Sequence, residues 1–202
     1  MVCAFIDAAN LFYGGEKSLG WKIDYKKLLA YLKNKFSVGR AYYYAGLDLG
    51  NYRSKDDEIN LPKVVAYFRR LLQSKKLKKT TGHEIEKYIQ RVKFYIKLNS
   101  FGYRLRLKPT KIFHSGDKTM KKANCDVDLT FDLMRYMSQY DELVILSGDG
   151  DFAPVLKYLK KKRKKVHILA RAERTAKEIK QLAGSKFMDF TYIRKFIEFE
   201  PK

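Results

Sequence analysis

Two aspartates one residue apart, Asp149 and Asp151, stand in the segment Ser147-Gly148-Asp149-Gly150-Asp151-Phe152, directly after the apolar run Leu143-Val144-Ile145-Leu146. The run reads as a buried strand, and Phe152-Ala153-Pro154-Val155-Leu156 reads as the start of a helix. Glycine permits the tight turn between them. The turn leaves two carboxylates at the carboxyl end of a strand, where open α/β sheets bind ligands. Paired carboxylates repel each other, and a hard divalent cation between them relieves that repulsion. A second acidic strand end lies at the N-terminus, where Val2-Cys3-Ala4-Phe5-Ile6 runs into Asp7-Ala8-Ala9-Asn10. The third acidic group is Asp126-Val127-Asp128-Leu129-Thr130-Phe131-Asp132. Asp126 falls where a helix N-cap is expected. Asp128 and Asp132, four apart, share one helical face. A bland reading accompanies each: Asp149 and Asp151 as turn residues, Asp7, Asn10 and Asp126 as caps, Ser147 as a turn serine, Asp128 as solvated surface.

The three acidic groups can meet only if the fold gathers strand ends. The hydrophobic pattern predicts strands at Val2–Ile6, Ala41–Ala45, Tyr103–Leu107, Leu143–Leu146, Val166–Ala170 and around Phe187–Phe190. Between them it predicts helices at Asp24–Phe36, capped by Asp24, then Leu61–Leu72, Glu84–Asn99, Asp126–Tyr140, Phe152–Lys162 and Thr175–Ala183. Gly46–Asn60 reads as a loop, Lys75–Gly82 as a basic connection and His114–Lys122 as a mobile loop. Strands alternating with helices argue for a mostly parallel sheet in an α/β protein. At 202 residues, with 46% hydrophobic content, one domain with a sizeable core is expected over residues 1–202. A basic helical segment at about 51–99 belongs to it.

The net charge is +21. Arg69 to Lys111 holds fourteen Lys or Arg against Glu84 and Glu86. A second run, Lys160-Lys161-Lys162-Arg163-Lys164-Lys165, follows the Gly-Asp motif. Basic tracts segregated from an acidic site suit phosphodiester chemistry, because cations hold the backbone and release its counterions. Lys160, Lys161, Lys162, Arg163 and Lys164 are therefore expected to hold a nucleic-acid backbone. Lysine-rich helix faces that are merely solvated are the competing reading. No apolar stretch approaches membrane-spanning length, so no membrane partner is expected. Cys3 and Cys125 lie at unrelated spacing and give no zinc signature. They fit a reducing compartment, which makes a cytoplasmic location the expectation. His83, His114 and His167 are scattered and form no ligand pair.

Three ordered motifs, "FIDAANL", "DVDLTFDLM" and "LVILSGDGDFAPVLKYLKKKRKKVHILA", resemble the NYN domain family, the LabA-like branch of the PIN-like nucleases. The resemblance runs from about Met1 to Ile193. Ala8 replaces the glycine of the family's usual Asp-Gly-x-Asn, and residues 51–99 follow the pattern poorly. The resemblance implies a PIN-like three-layer α/β sandwich and Mg²⁺- or Mn²⁺-dependent cleavage of RNA by clustered aspartates. On that basis Asp7, Asp126, Asp149 and Asp151 are the expected catalytic metal ligands of an endoribonuclease. Asn10, Asp128, Asp132 and Ser147 are expected to support them. Two other readings remain open: a non-catalytic RNA-binding module, and a phosphatase of the haloacid-dehalogenase type. The latter class needs Asp-x-Asp after strand one, and Ala9 stands where its second aspartate belongs.

Overall fold

The computed structural model describes residues 1–53, 59–74, 79–115 and 118–200. The chain starts in strand β1 (Val2–Asp7), a run apolar enough to be buried on both faces. Short helical turns follow: α1 (Ala8–Asn10), a π-helical segment Leu11–Glu16, and α2 (Lys17–Leu19). Helix α3 (Tyr25–Phe36) is capped by Asp24, whose carboxylate accepts from the Lys26 and Lys27 amides. Strand β2 (Val38–Leu47), helix α4 (Leu61–Leu72), helix α5 (Lys79–Phe101) and strand β3 (Tyr103–Pro109) come next. An antiparallel pair, β4 (Lys111–Ser115) and β5 (Lys118–Lys122), leads to α6 (Asp126–Arg135). Then follow β6 (Glu142–Leu146), α7 (Ala153–Lys161), β7 (Lys165–Ala170), α8 (Lys177–Ala183), β8 (Phe187–Asp189) and α9 (Phe190–Ile197).

Six strands form one sheet in the order β3-β2-β1-β6-β7-β8, with every neighbouring pair parallel. Alternation along β1 divides the core. Ala4 and Ile6 join the cluster under α3, α4, α5 and α9. Cys3 and Phe5 join the cluster under α6, α7 and α8, where Phe5 stacks on Tyr42. The result is the three-layer α/β sandwich with a parallel central sheet expected from the sequence. The strand order reverses direction between β1 and β6, both of which run the same way. A crevice opens at the carboxyl ends of strands at such a switch point, so the topology brings Asp7 beside Ser147–Asp151.

Several local expectations are corrected. His114–Lys122 is not a loop: its described residues belong to β4 and β5, a hairpin whose backbone pairing leaves no apolar periodicity to read. Gly116 itself lies outside the described residues. So do residues 75–78 of the expected basic connection and 54–58 of the loop before α4, and α5 is already helical from Lys79. Helix α6 stops at Arg135 and gives way to a 3-10 turn, Met137–Gln139. The stretch after the Gly-Asp motif enters its helix through another 3-10 turn, Gly150–Phe152. The last strand ends at Asp189, which caps the unanticipated α9 by accepting from the Thr191 amide at 2.7 Å. Phe190, Ile193 and Ile197 give that helix a narrow buried stripe. Among the described residues no helix is long and apolar enough to cross a membrane.

Candidate functional site

Asp7 ends β1 and is 8% exposed. Its Oδ1 accepts from the Ala9 and Asn10 amides at 3.0 and 3.2 Å, so the carboxylate caps the turn that follows its own strand. Its Oδ2 accepts from the Ser147 hydroxyl at 3.1 Å. Ser147 Oγ in turn accepts from the Asp149 amide at 3.3 Å. The Asn10 side-chain oxygen accepts from the Gly148 amide at 3.1 Å. Two motifs some 140 residues apart are thus stitched together by two hydrogen bonds across the β1–β6 crevice, Ser147 to Asp7 and Gly148 to Asn10. Asn10 and Ser147 do the stitching.

Gly148 makes the close approach possible. A β-carbon there would sit 2.4 Å from Thr175 Oγ1 and 3.0 Å from the Thr175 α-carbon. The Ala176 amide donates to the Gly148 carbonyl at 3.0 Å, closing the turn against the segment after β7. Asp149 is half-buried and accepts from the Asp151 amide at 3.0 Å, which starts the following 3-10 turn. Asp151 itself is exposed.

Asp126 comes from the other direction, on the first turn of α6. The expected N-cap role is corrected: Cys125 holds the cap position without a side-chain bond, and Asn124 Oδ1 accepts the Asp126 amide at 2.8 Å. Asp126 is thereby left in the first helical turn, where a negative side chain is favoured by the helix dipole. Its charge reaches Asp7. Burial raises the Asp7 pKa above the ordinary carboxylate value, and the Asp126 charge adds to that, against the amides and the Ser147 hydroxyl, which lower it. Cys125, unremarked as a site residue in the sequence, lies against the same cluster. Its thiol is pushed up to about 11 by burial, then by the charges of Asp128, Asp7 and Asp126, with Lys108 opposing.

Asp128 and Asp132 share one helical face, as their spacing predicts, and that face is turned to β3. Asp128 pairs with Lys108 at 2.6 Å. Asp132 accepts from Arg106 Nε at 2.9 Å and from the Tyr44 hydroxyl at 3.0 Å. The match is geometric: four helical residues rise about 6 Å and two strand residues about 6.6 Å. Both carboxylates already have protein partners that fix α6 to the sheet.

The Lys160–Lys164 run is not brought to the site. Strands β6 and β7 are parallel, so α7 carries the chain from the acidic end of the sheet back to the amino end. There Lys160 Nζ donates to the Leu182 carbonyl, and Lys164 Nζ donates to the Tyr140 carbonyl at 2.6 Å. Lys162 lies over the Tyr158 ring, and Arg163 turns the chain with φ +60°. Lys161 is exposed beside them.

The crevice gathers carboxylate, amide and hydroxyl oxygens from Asp7, Asn10 and Ser147, and oxygen donors suit a hard divalent cation. Among the described residues, no three His, Cys, Asp or Glu side chains converge into a preformed metal shell. Asp7 and Asp126 are the two carboxylates of the crevice whose charges act on each other.

A six-stranded parallel sheet with acidic strand ends at its switch point defines an α/β protein with a polar, anionic crevice. The NYN domain family model matches residues 1–191, and the chain belongs to that family. It is 30% identical over 199 residues to the low amplitude and bright protein LabA of Synechococcus elongatus, covering 96% of this chain and 86% of that one. A crystal structure of VPA0982, a protein of unknown function from Vibrio parahaemolyticus, is similar with a TM-score of 0.61 at 18% identity, covering 97% of this chain and 95% of that one. That likeness extends the fold over nearly the whole of both chains.

Proposed function

We propose that this protein is an endoribonuclease that hydrolyses RNA phosphodiester bonds with Mg²⁺ or Mn²⁺. The observation that carries the reading is the hydrogen-bonded junction of Asp7, Asn10, Ser147 and Gly148, with the Asp126 charge pressing on the buried Asp7 carboxyl. A cation bound there would neutralise phosphate charge and lower the pKa of a water. Asp7 and Asp126 would hold it, with Asp149 and Asp151 at the rim of the crevice as the remaining carboxylates. Ser147 and Asn10 fix the Asp7 carboxylate in orientation, so that little reorganisation is needed when charge develops. The overall charge of +21 supports a polyanionic substrate. Two free cysteines support a reducing, cytoplasmic setting.

The test is a circular labelled RNA, which only internal cleavage opens, incubated with Mg²⁺, with Mn²⁺ or with EDTA. Opening that requires metal and disappears in Asp7→Asn supports the reading. Binding without cleavage in either metal would favour a second reading, a non-catalytic RNA-binding module. The absence of a three-donor cluster among the described residues is what keeps that second reading in play.

A further inference from the structure

We infer that the groove between α3 and α5 is the track on which an unpaired RNA strand lies as it approaches the acidic crevice; the inference rests on the reading above. The groove has a volume of about 1390 Å³ and is lined by residues of the segment after β1, the start of α3 and one face of α5. Ala8, the residue after Asp7, lines it, so it begins beside the crevice. Tyr95 lines it too and donates to the Gly46 carbonyl at 2.9 Å, next to the carboxyl end of β2. That bond sets the height of α5. Arg91 and Lys87, one and two turns earlier, stand level with the acidic end of the sheet or beyond it.

The charges in the groove differ in availability. Lys22, Lys26, Lys87, Arg91 and Lys93 are exposed along it. Among the described residues, none of Lys87, Arg91 and Lys93 has a salt-bridge partner. The acids of the same groove are occupied locally. Glu16 accepts from the Ile23 amide at 2.9 Å, Asp24 caps α3, and Glu86 faces His83 at 3.8 Å. Seven lysines and arginines against three acids line the groove, so the field inside it is positive, and a phosphate chain meets cations that need not first break an ion pair. Aromatic surface is interleaved. Phe12 is 46% exposed and lines the groove five residues beyond Asp7, with Tyr13 edge-on against it at 5.1 Å between ring centroids. Basic residues that track a backbone, together with exposed rings that offer a face to bases, are the attributes of single-strand binding, since paired bases present no free face.

The experiment measures affinity for a labelled, unstructured single-stranded RNA against salt, in an Asp7→Asn background so that cleavage does not interfere. Lys87→Gln, Arg91→Gln and Lys93→Gln are combined, all exposed side chains of α5, with a thermal melt to confirm folding. Each phosphate contact on a single strand contributes about 0.7 to the slope of log affinity against log salt. The triple variant is expected to lose about 2 units of slope and on the order of tenfold or more in affinity at physiological salt. Phe12→Ala separately is expected to weaken single-stranded binding roughly tenfold while leaving the slope unchanged. An unchanged slope and affinity in the triple variant overturns the groove as the track, whether or not the protein cleaves RNA. A parent that binds RNA with the expected slope while metal-dependent cleavage is absent in the unmutated protein overturns the nuclease reading and leaves the groove standing. No RNA binding by the parent overturns both.

Discussion

The two basic surfaces of this protein differ in what their charges are doing. At the end of α7 the lysines are engaged with the protein itself. Lys157 pairs with Glu178, Lys160 holds the Leu182 carbonyl, Lys164 holds the Tyr140 carbonyl, and Lys165 lies 3.8 Å from Glu142. Lys160, Lys164 and Lys165 tie the end of α7 to α8 and to the starts of β6 and β7 at the amino end of the sheet, and Lys157 ties the middle of α7 to the first turn of α8. Along α5 the cations are exposed beside a groove, with Glu16 and Asp24 accepting from backbone amides and Glu86 facing His83. Nearness in sequence to the acidic motif belongs to the first surface. Nearness in space belongs to the second. A parallel strand–helix–strand unit forces this separation, because each helix must return to the opposite end of the sheet before the next strand can start. A basic run directly following a catalytic-looking turn and its helix is therefore carried away from it by the fold.

The acidic side of the comparison is broken most sharply at Asp7. Asp7→Asn keeps an oxygen for the Ala9 and Asn10 amides and removes the charge. Metal-dependent RNA cleavage is expected to fall at least about a hundredfold, in line with removing a preorganised electrostatic group, while RNA affinity stays near that of the parent. A cleavage assay beside an equilibrium binding curve checks both, and cleavage at the parent rate would remove Asp7 from the chemistry.

Gly148 tests whether the crevice depends on close packing against the segment after β7. Gly148→Ala places a methyl group against the Thr175 side chain and α-carbon, at 2.4 and 3.0 Å. Backbone must shift to accept it, at a cost of about 1–3 kcal/mol of stability. Because the Gly148 amide is also the donor to Asn10, cleavage should fall beyond what the stability loss explains. Thermal melts and single-turnover rates on the folded fraction measure the two parts, and a variant as stable and as active as the parent would show that the turn has slack.

Asp132 sharpens the distinction between acids that serve the site and acids that serve the fold. Its carboxylate takes a hydrogen bond from Tyr44 and a charge-assisted one from Arg106, whose side chain is 38% exposed. Burial, and then the Asp132 charge, hold the Tyr44 hydroxyl well above its ordinary pKa, so Tyr44 donates throughout the working pH range. Asp132→Ala leaves that hydroxyl without an acceptor and should destabilise the protein by about 2 kcal/mol. The cleavage rate per folded molecule should change little. A denaturant titration alongside the assay decides it: a large rate loss with little stability loss would return Asp132 to the site.

Most of the sheet was legible because its strands are apolar runs bounded by glycine and charge, and because parallel strands need helices between them. Two of the acidic motifs were legible for the same reason, since Asp7 ends a strand and the Asp149–Asp151 pair follows one. What the sequence hides is direction and partnership. Asp128 and Asp132 look like Asp126 in the chain, and only the register of α6 against β3 assigns them to Lys108 and Arg106. The hairpin β4–β5 has no alternating apolar pattern, so backbone pairing forms it without a sequence signal. Cys125 reads as an ordinary thiol until α6 places it beside Asp7 and Asp126. Lys87, Arg91 and Lys93 were visible as part of a basic tract. Their i, i+4 and i+6 spacing gave no hint that the groove beside Ala8 would collect them.

The smallest expected effect is also the cleanest test of the opening comparison. Lys161 and Lys162 are exposed, and among the described residues neither makes a salt bridge, with Lys162 resting over Tyr158. Lys161→Ala with Lys162→Ala therefore removes two charges while sparing Lys160 and Lys164, whose ammonium groups hold backbone carbonyls. If RNA lies along α5, the pair sits at the wrong end of the sheet to touch phosphate. The lost charge then acts only through the general field, which salt screens within about 8–10 Å. Affinity should stay within about twofold of the parent and the salt slope should not change. Were these lysines in contact with the strand, the slope would fall by roughly 1.4, two contacts at about 0.7 each. A drop of that size would place RNA on both ends of the molecule and turn the contrast between the two surfaces into a continuous path around it.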